Sequence, residues 1–368
     1  MIKKIYLFGN IGNINKLPKS GGQTSARRVM EGLRSSGFEV VPIVRHRAEF
    51  EGKIAHKLEV LTFACLDLLK IVKKLLFQKR EGIVFFHLTF SGSLVPYELL
   101  ISFVLKLIHV RRLMYLQGGQ FMDAYQYGNF FSRWMFKKNI DMQKAVMFEG
   151  LEGMQMVQKI TKTQCVYFPG YAFEKDIAKE TPIRSTETIN ICYYGRIGPM
   201  KNVHIVIAAF DCLCNIRNNV HLTIIGGPGQ SKDYVKAIDR MISHSPNQSK
   251  ISRYGLSPFS FIKEKLRDQH FYLFPTREKC EGHSNALTEC MSQGVIPIVS
   301  DYHFNRSVVG NDSLVVEGYE PQKYAEKINA IIESGRIQEL SEELRLRVKT
   351  LFSFEVVNRR ICEVIRSI

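Results

Sequence analysis

Two short stretches carry the residue types that anion and sugar chemistry require. The first is Gly195-Arg196-Ile197-Gly198-Pro199-Met200-Lys201-Asn202, directly after the apolar run 189–194. Gly195 and Gly198 permit close backbone approach, Pro199 and Asn202 suit a turn and a helix entry, and Arg196 and Lys201 place two cations where a strand gives way to a helix. That arrangement suits a diphosphate. The second stretch begins at Pro275 and holds Glu281-Gly282-His283-Ser284-Asn285 and Glu289. A helix is expected to begin near Ser284, and its free N–H groups can donate to hydroxyls or to an anion. Eight residues of helix rise about 12 Å, so Glu281 and Glu289 would each grip one sugar diol at the two ends of a diphosphate-linked ligand.

The elements that must position these residues follow from periodicity. In the first half, apolar strand-like runs at 5–8, 38–44, 83–86, 112–116, 145–148 and 165–168 alternate with segments long enough for helices. His87 stands at the end of the third run. The stretch 174–188, with Pro182 and no apolar period, looks like a linker. The alternation then resumes at 189–194, 220–225, 251–254, 271–274 and 295–299, and helical patterns fill 321 to the end. Short, almost continuous apolar strands alternating with helices indicate parallel sheets covered on both faces. The expected organisation is an α/β first domain (1–173), a linker (174–188), an α/β second domain (189–352) and a C-terminal helix (353–368) able to pack back on the first. Ligands of such sheets bind beyond the carboxyl ends of the strands.

Composition bounds the function classes. The chain has 368 residues, 45% hydrophobic and 23% charged, which is ordinary for a globular protein. No apolar run reaches the length of a membrane-spanning helix, and the apolar start at 5–8 is too brief for a secretory signal. A cytoplasmic location is expected. The eight cysteines include no C-x-x-C pair, so buried free thiols are expected in place of a disulfide or zinc framework. Residues 1–180 carry 27 basic against 15 acidic groups, whereas 181–368 carry 24 against 20. A basic first half attracts something anionic. Leucines and lysines over 56–80, and a second apolar pattern over 99–112, read as amphipathic basic helices. Packing on the sheet explains such faces as readily as contact with an anionic membrane surface.

The Gly195-Arg196 pair with Lys201, the Gly226-Gly227-Pro228-Gly229 turn and the Glu281-x7-Glu289 block together resemble the retaining glycosyltransferases of family 4, which have the GT-B fold. The resemblance covers the second half and continues more loosely through the first, where Gly21-Gly22 matches a glycine-containing loop. It implies two Rossmann-like doubly wound domains facing a central cleft, and a sugar moved from a nucleotide-diphosphate donor to a glycan or polyprenyl-linked acceptor in surface polysaccharide (capsule or lipopolysaccharide) assembly. It also implies retention of configuration, no metal and no other cofactor. The chain contains no D-x-D sequence, in line with that last implication.

Carried over position by position, the resemblance gives Arg196 and Lys201 the diphosphate, Glu281 the donor sugar near its reacting carbon, and Glu289 the ribose hydroxyls. Backbone amides at Gly282, His283, Ser284 and Asn285 would contact the sugar. Gly195 and Gly21-Gly22 would border the phosphates, Tyr254-Gly255 the base, and His87 the sugar and acceptor. Asn202 stands where the family usually has glycine, and His283-Ser284 where it has an aromatic residue and glycine. The location implied is cytoplasmic or peripheral on the inner face of the plasma membrane. Other classes weighed are a nucleotide-sugar epimerase on the same scaffold, a catalytically silent sugar-nucleotide binder and a basic nucleic-acid-binding protein. The last lacks any zinc, RNP-like or recognition-helix pattern, so no nucleic-acid partner is expected.

Overall fold

A computed structural model describes residues 3–16, 21–46, 53–76, 78, 82–89, 95–229 and 231–368. Lys79 and Arg80, part of the basic pattern, lie outside them, and the side chains of Lys57, Leu58 and Leu61 are likewise outside the description. The chain forms two compact units, one of Met1–Pro169 with Val357–Ile368, the other of Gly170–Val356.

The first unit alternates β1 (Lys4–Gly9), α1 (Gly21–Ser35), β2 (Glu39–Val44), α2 (Lys53–Leu76), β3 (Ile83–Thr89), α3 (Val95–Leu107) and β4 (Arg111–Leu116). It continues through α4 (Gln120–Gln126), α5 (Phe130–Asp141), β5 (Ala145–Phe148), α6 (Leu151–Gln158) and β6 (Gln164–Tyr167). All strand pairs are parallel, in the order β2-β1-β3-β4-β5-β6. All seven residues of β3 are buried, as expected of a central strand covered on both faces. The strand order reverses beside β1, so the switch point of this sheet lies between β1 and β3.

The second unit holds β7 (Ile189–Tyr194), α7 (Val203–Cys214), β8 (Val220–Ile225), α8 (Lys232–His244), β9 (Ile251–Tyr254), α9 (Phe259–Leu266) and β10 (Phe271–Phe274). Then come α10 (Asn285–Ser292), β11 (Ile296–Ser300), α11 (Asn305–Val309), β12 (Val315–Val316), α12 (Pro321–Glu333), α13 (Ile337–Leu351) and the opening residues of α14 (Phe354–Ser367). Its parallel sheet runs β12-β11-β10-β7-β8-β9, so the switch point lies between β7 and β10. Those are the two strands that carry the candidate chemistry on their following loops.

The stretch 174–188 is part of the second unit. Arg184 fastens it there, donating to the carbonyls of Arg267, Gln293 and Gly294 at 2.9, 2.6 and 3.1 Å. From Val357 onward α14 belongs to the first unit, where the Asn358 amide donates to the Ser36 hydroxyl at 2.6 Å and the Arg360 guanidinium lies 5.7 Å from the Tyr167 ring. All eight cysteines are free, but Cys65 and Cys280 are exposed, which corrects the expectation that the thiols are buried. Among the described residues no helix is long and apolar enough to cross a membrane.

Candidate functional site

The loop after β7 is built by close backbone packing. Gly195 has φ +140°, a region that only glycine enters without strain. A side chain at Gly226 would collide with the Gly195 carbonyl oxygen, so the 226–229 turn seats directly on this loop. Two backbone hydrogen bonds join the segments, from Ile197 N to the Gly227 carbonyl and from Gly229 N to the Ile197 carbonyl, each 3.0 Å. The chain then makes a single 3-10 turn, Pro199–Lys201, and enters α7 through Asn202 at φ 53°, ψ 40°. Asn tolerates this left-handed conformation better than other non-glycine residues, which accounts physically for a position that the resemblance assigns to glycine.

The loops after β7 and β10 are stitched together. The Asn202 amide donates to the Pro275 carbonyl at 2.8 Å, and Arg277 N donates to the Met200 carbonyl at 2.8 Å. This brings the Lys201 ammonium onto the Glu281 carboxylate as a mostly buried ion pair, while the Thr276 hydroxyl donates to Glu281 Oε2 at 3.3 Å. Burial first, and then the Arg196 guanidinium beside it, lower the Lys201 pKa to about 7; the Glu278 carboxylate and Cys280 oppose this. The paired Glu281 carboxylate adds to that opposition, because an adjacent anion favours the protonated amine. Arg196 is exposed, with its carbonyl accepting from the Tyr193 hydroxyl at 2.8 Å. The loop edge thus offers one solvated and one sheltered cation, a suitable pair for an incoming diphosphate.

Glu289 is held from below by Tyr194, the last residue of β7, whose hydroxyl lies 2.6 Å from Glu289 Oε2. Burial, followed by the charge of Glu289, raises the Tyr194 hydroxyl well above its ordinary pKa, so it stays protonated and acts as donor. Glu289 is only 9% exposed. Sequence reasoning gives Tyr194 no role; the signal available is its place at the end of the apolar run 189–194 that precedes the loop.

The two glutamates do not share a helix, contrary to the expected 12 Å spacing along one. α10 starts at Asn285, so Glu281 lies in the preceding loop and its carbonyl faces His303 Nδ1 at 3.2 Å. Ser284 caps α10 without a side-chain hydrogen bond to its first turn. Gly282 and Asn285 are half-buried and Ser284 is buried at this helix entry. His283 is buried against the Phe352 ring at 4.7 Å, with Nε2 2.5 Å from the Thr288 hydroxyl, and burial followed by Arg347 pushes its pKa down to about 3. A neutral, packed imidazole is its state, leaving its backbone to do any ligand work. Tyr254 ends β9, its carbonyl accepting from Gly226 N at 3.1 Å, and Gly255 is exposed beside it.

In the first unit, Gly21 and Gly22 form the first turn of α1. His87 lies inside β3, two residues before its end at Thr89, where the sequence reading put it at the strand's end. It is 2% exposed, packs at 5.2 Å from the Phe8 ring, and its Nε2 has no hydrogen-bond partner among the described residues. Burial, followed by Arg45, lowers its pKa to about 3, so the ring is neutral throughout the physiological range.

The role of Asn202 gives a first prediction. Asn202→Val forces a β-branched residue to φ > 0 and deletes the bond to Pro275, at a combined cost of about 2 to 3 kcal/mol. Asn202→Gly keeps the conformation and loses only the bond, so its urea midpoint is expected to fall less than half as far. Equal midpoints for the two variants would show that the left-handed geometry is not needed.

Residues 174–350 match the family model described as glycosyl transferases group 1. The capsular polysaccharide biosynthesis glycosyltransferase CapM of Staphylococcus aureus is 24% identical over 168 residues, which span 45% of this chain and 43% of that relative's length. Among solved structures, sucrose-phosphate synthase of Thermosynechococcus elongatus superposes with a TM-score of 0.75 at 14% identity, covering 99% of this chain and 98% of that one. Anabaena HepE in complex with UDP gives a TM-score of 0.70 at 12% identity, with both chains fully covered. The second unit is thus similar to the group 1 glycosyl transferases, and the two doubly wound units are those of the GT-B fold.

Proposed function

We propose that the chain is a retaining, family 4 glycosyltransferase that takes a sugar from a nucleoside-diphosphate donor without a metal ion. Its acceptor is a glycan or polyprenyl-linked sugar of a surface polysaccharide. The observation that carries this reading is the Lys201–Glu281 pair at the switch point of the second sheet, with Arg196 beside it and Glu289 held by Tyr194. UDP bound to HepE supports a nucleotide donor, and the name of CapM supports a polysaccharide product.

On this reading the bond between the anomeric carbon and the diphosphate breaks as negative charge spreads over the phosphate oxygens. Lys201, Arg196 and the N-terminus of α10 stabilise that charge, in place before the reaction begins. Diphosphate binding draws Lys201 from Glu281, and the released carboxylate accepts hydroxyls of the donor sugar. Glu289 accepts from the ribose.

Thermal unfolding with a panel of nucleoside diphosphates and their sugars tests the donor class. A ligand at a hundred times its Kd adds about 2.7 kcal/mol, a shift of about 5 °C or more. At least one member is expected to give it, and Lys201→Met to abolish it. No shift with any member would overturn the reading. An epimerase would consume donor with no acceptor present, which product analysis separates.

A further inference from the structure

The first unit exposes an apolar strip that the transfer chemistry does not use. α5 is started by Asn129, whose side chain accepts from Ser132 N at 2.8 Å, and it opens with Phe130 (85% exposed) and Phe131 (61%). Trp134, 43% exposed, stacks on Phe131 at 5.7 Å between ring centres. Phe130, Trp134, Lys137 and Lys138 follow at i, i+4, i+7 and i+8, one outward face opposite the buried Met135, Phe136, Asn139 and Ile140. Alongside, α3 buries Ile101 and Leu105 yet presents Leu100, Phe103 and Leu107 outward at i, i+3 and i+7.

These two helices form one rigid surface. Ser102 donates to Asn139 Oδ1 at 2.6 Å, and the Gln143 amide donates to Ser102 Oγ at 2.9 Å and to the Asn139 carbonyl at 2.8 Å, all buried. α2, α3 and α5 are successive crossovers running the same way across the sheet, and right-handed connections set all three on one face. Exposed aromatic and aliphatic side chains in such a group exceed the single scattered hydrophobics of an ordinary surface.

Charge selects the occupant. Residues 95–144 hold seven Lys and Arg against three Asp and Glu, and one of the three, Glu98, is fully buried. Lys137 shares its charge with Asp141 at 2.7 Å, while Arg133, Lys138 and Lys106 are exposed around the aromatic strip. A second copy of this chain would bring the same positive sign to the contact. An anionic lipid surface supplies both an apolar layer for the rings and phosphates for the bases.

We propose that the α3–α5 face docks on an anionic lipid bilayer, with Phe130, Phe131 and Trp134 at headgroup depth and Arg133, Lys137 and Lys138 among the phosphates. This is independent of the donor site and holds whether or not sugar transfer is the reaction.

Trp134 is the chain's one tryptophan, so the wild-type protein reports directly on this face. With vesicles of phosphatidylcholine containing about a third phosphatidylglycerol, Trp134 emission is expected to shift to the blue, to be quenched by bromine-labelled acyl chains, and the protein to co-sediment. At about fivefold per basic residue, Lys137→Gln with Lys138→Gln weakens vesicle binding about twenty-five-fold. Phe130→Ser with Phe131→Ser changes only exposed side chains, keeps Trp134 as the probe, and is expected to lose the quenching with an unchanged circular dichroism spectrum. Three results would each overturn the proposal. One is no binding to anionic vesicles. Another is binding without any Trp134 response. The third is a blue shift that rises with protein concentration in the absence of lipid, which assigns the face to self-association.

Discussion

A Lys201→Met protein is expected to transfer sugar at least about a hundredfold more slowly than wild type, the cost of removing one preorganised charge-stabilising donor, about 3 kcal/mol. The same change strips Glu281 of its cation, so stability should fall as well, by up to about 3 kcal/mol for a largely buried pair. The two effects separate in the double variant. Lys201→Met with Glu281→Gln removes the orphaned charge and is expected to recover most of the urea midpoint without recovering transfer. A double variant that regains both would show that the pair only holds the loops together.

The pH dependence of nucleoside-diphosphate binding checks the same pair. Burial and Arg196 lower the free ammonium to about 7, whereas a bound diphosphate favours its protonated form. Above pH 7 binding must therefore take up a proton, and affinity falls by up to tenfold per pH unit as pH rises. Glu281→Gln removes an anion that helps Lys201 keep its proton, so the fall should start at lower pH. Lys201→Arg stays charged throughout and should flatten the profile. Calorimetric titration in buffers of different ionisation enthalpy measures the proton uptake directly, and none above pH 7 would mean that Lys201 does not meet the phosphates.

Eleven of the twelve strands among the described residues are legible because buried parallel strands are short apolar runs, as Val84, Phe85 and Phe86 show. The twelfth, Val315–Val316, has two residues and no period to read. The candidate site was legible as far as composition and loop position go: cations after one strand, carboxylates after another. What a linear reading misses is order across the sheet. β7 and β10 are separated by about 75 residues yet neighbour each other, and only that adjacency makes an ion pair of Lys201 and Glu281 or sets Tyr194 under Glu289. The helical ruler between the glutamates failed for a local reason. Glu281 lies four residues before α10 begins, and loop geometry has no fixed rise.

Glu289 supplies the other large effect. On the proposed reading its carboxylate accepts from the ribose, and removing one charged hydrogen-bond acceptor costs about 1.5 to 3 kcal/mol, or about 10- to 150-fold in Kd. Glu289→Gln is expected to weaken nucleoside-diphosphate binding by this factor. Tyr194→Phe should weaken it less, since the carboxylate survives and only its orientation loosens. The discriminating measurement uses the 2′-deoxy and 3′-deoxy diphosphates. A site built to bond a hydroxyl rejects the analogue that lacks it, because its own buried polar group is left unpaired. Wild type should therefore discriminate against at least one deoxy analogue, and Glu289→Gln should bind that analogue and the parent about equally. If Glu289 serves only to anchor Tyr194 at the end of β7, the variant will lose stability while keeping the full preference for the ribose, and the ligand role passes to another residue of the helix entry.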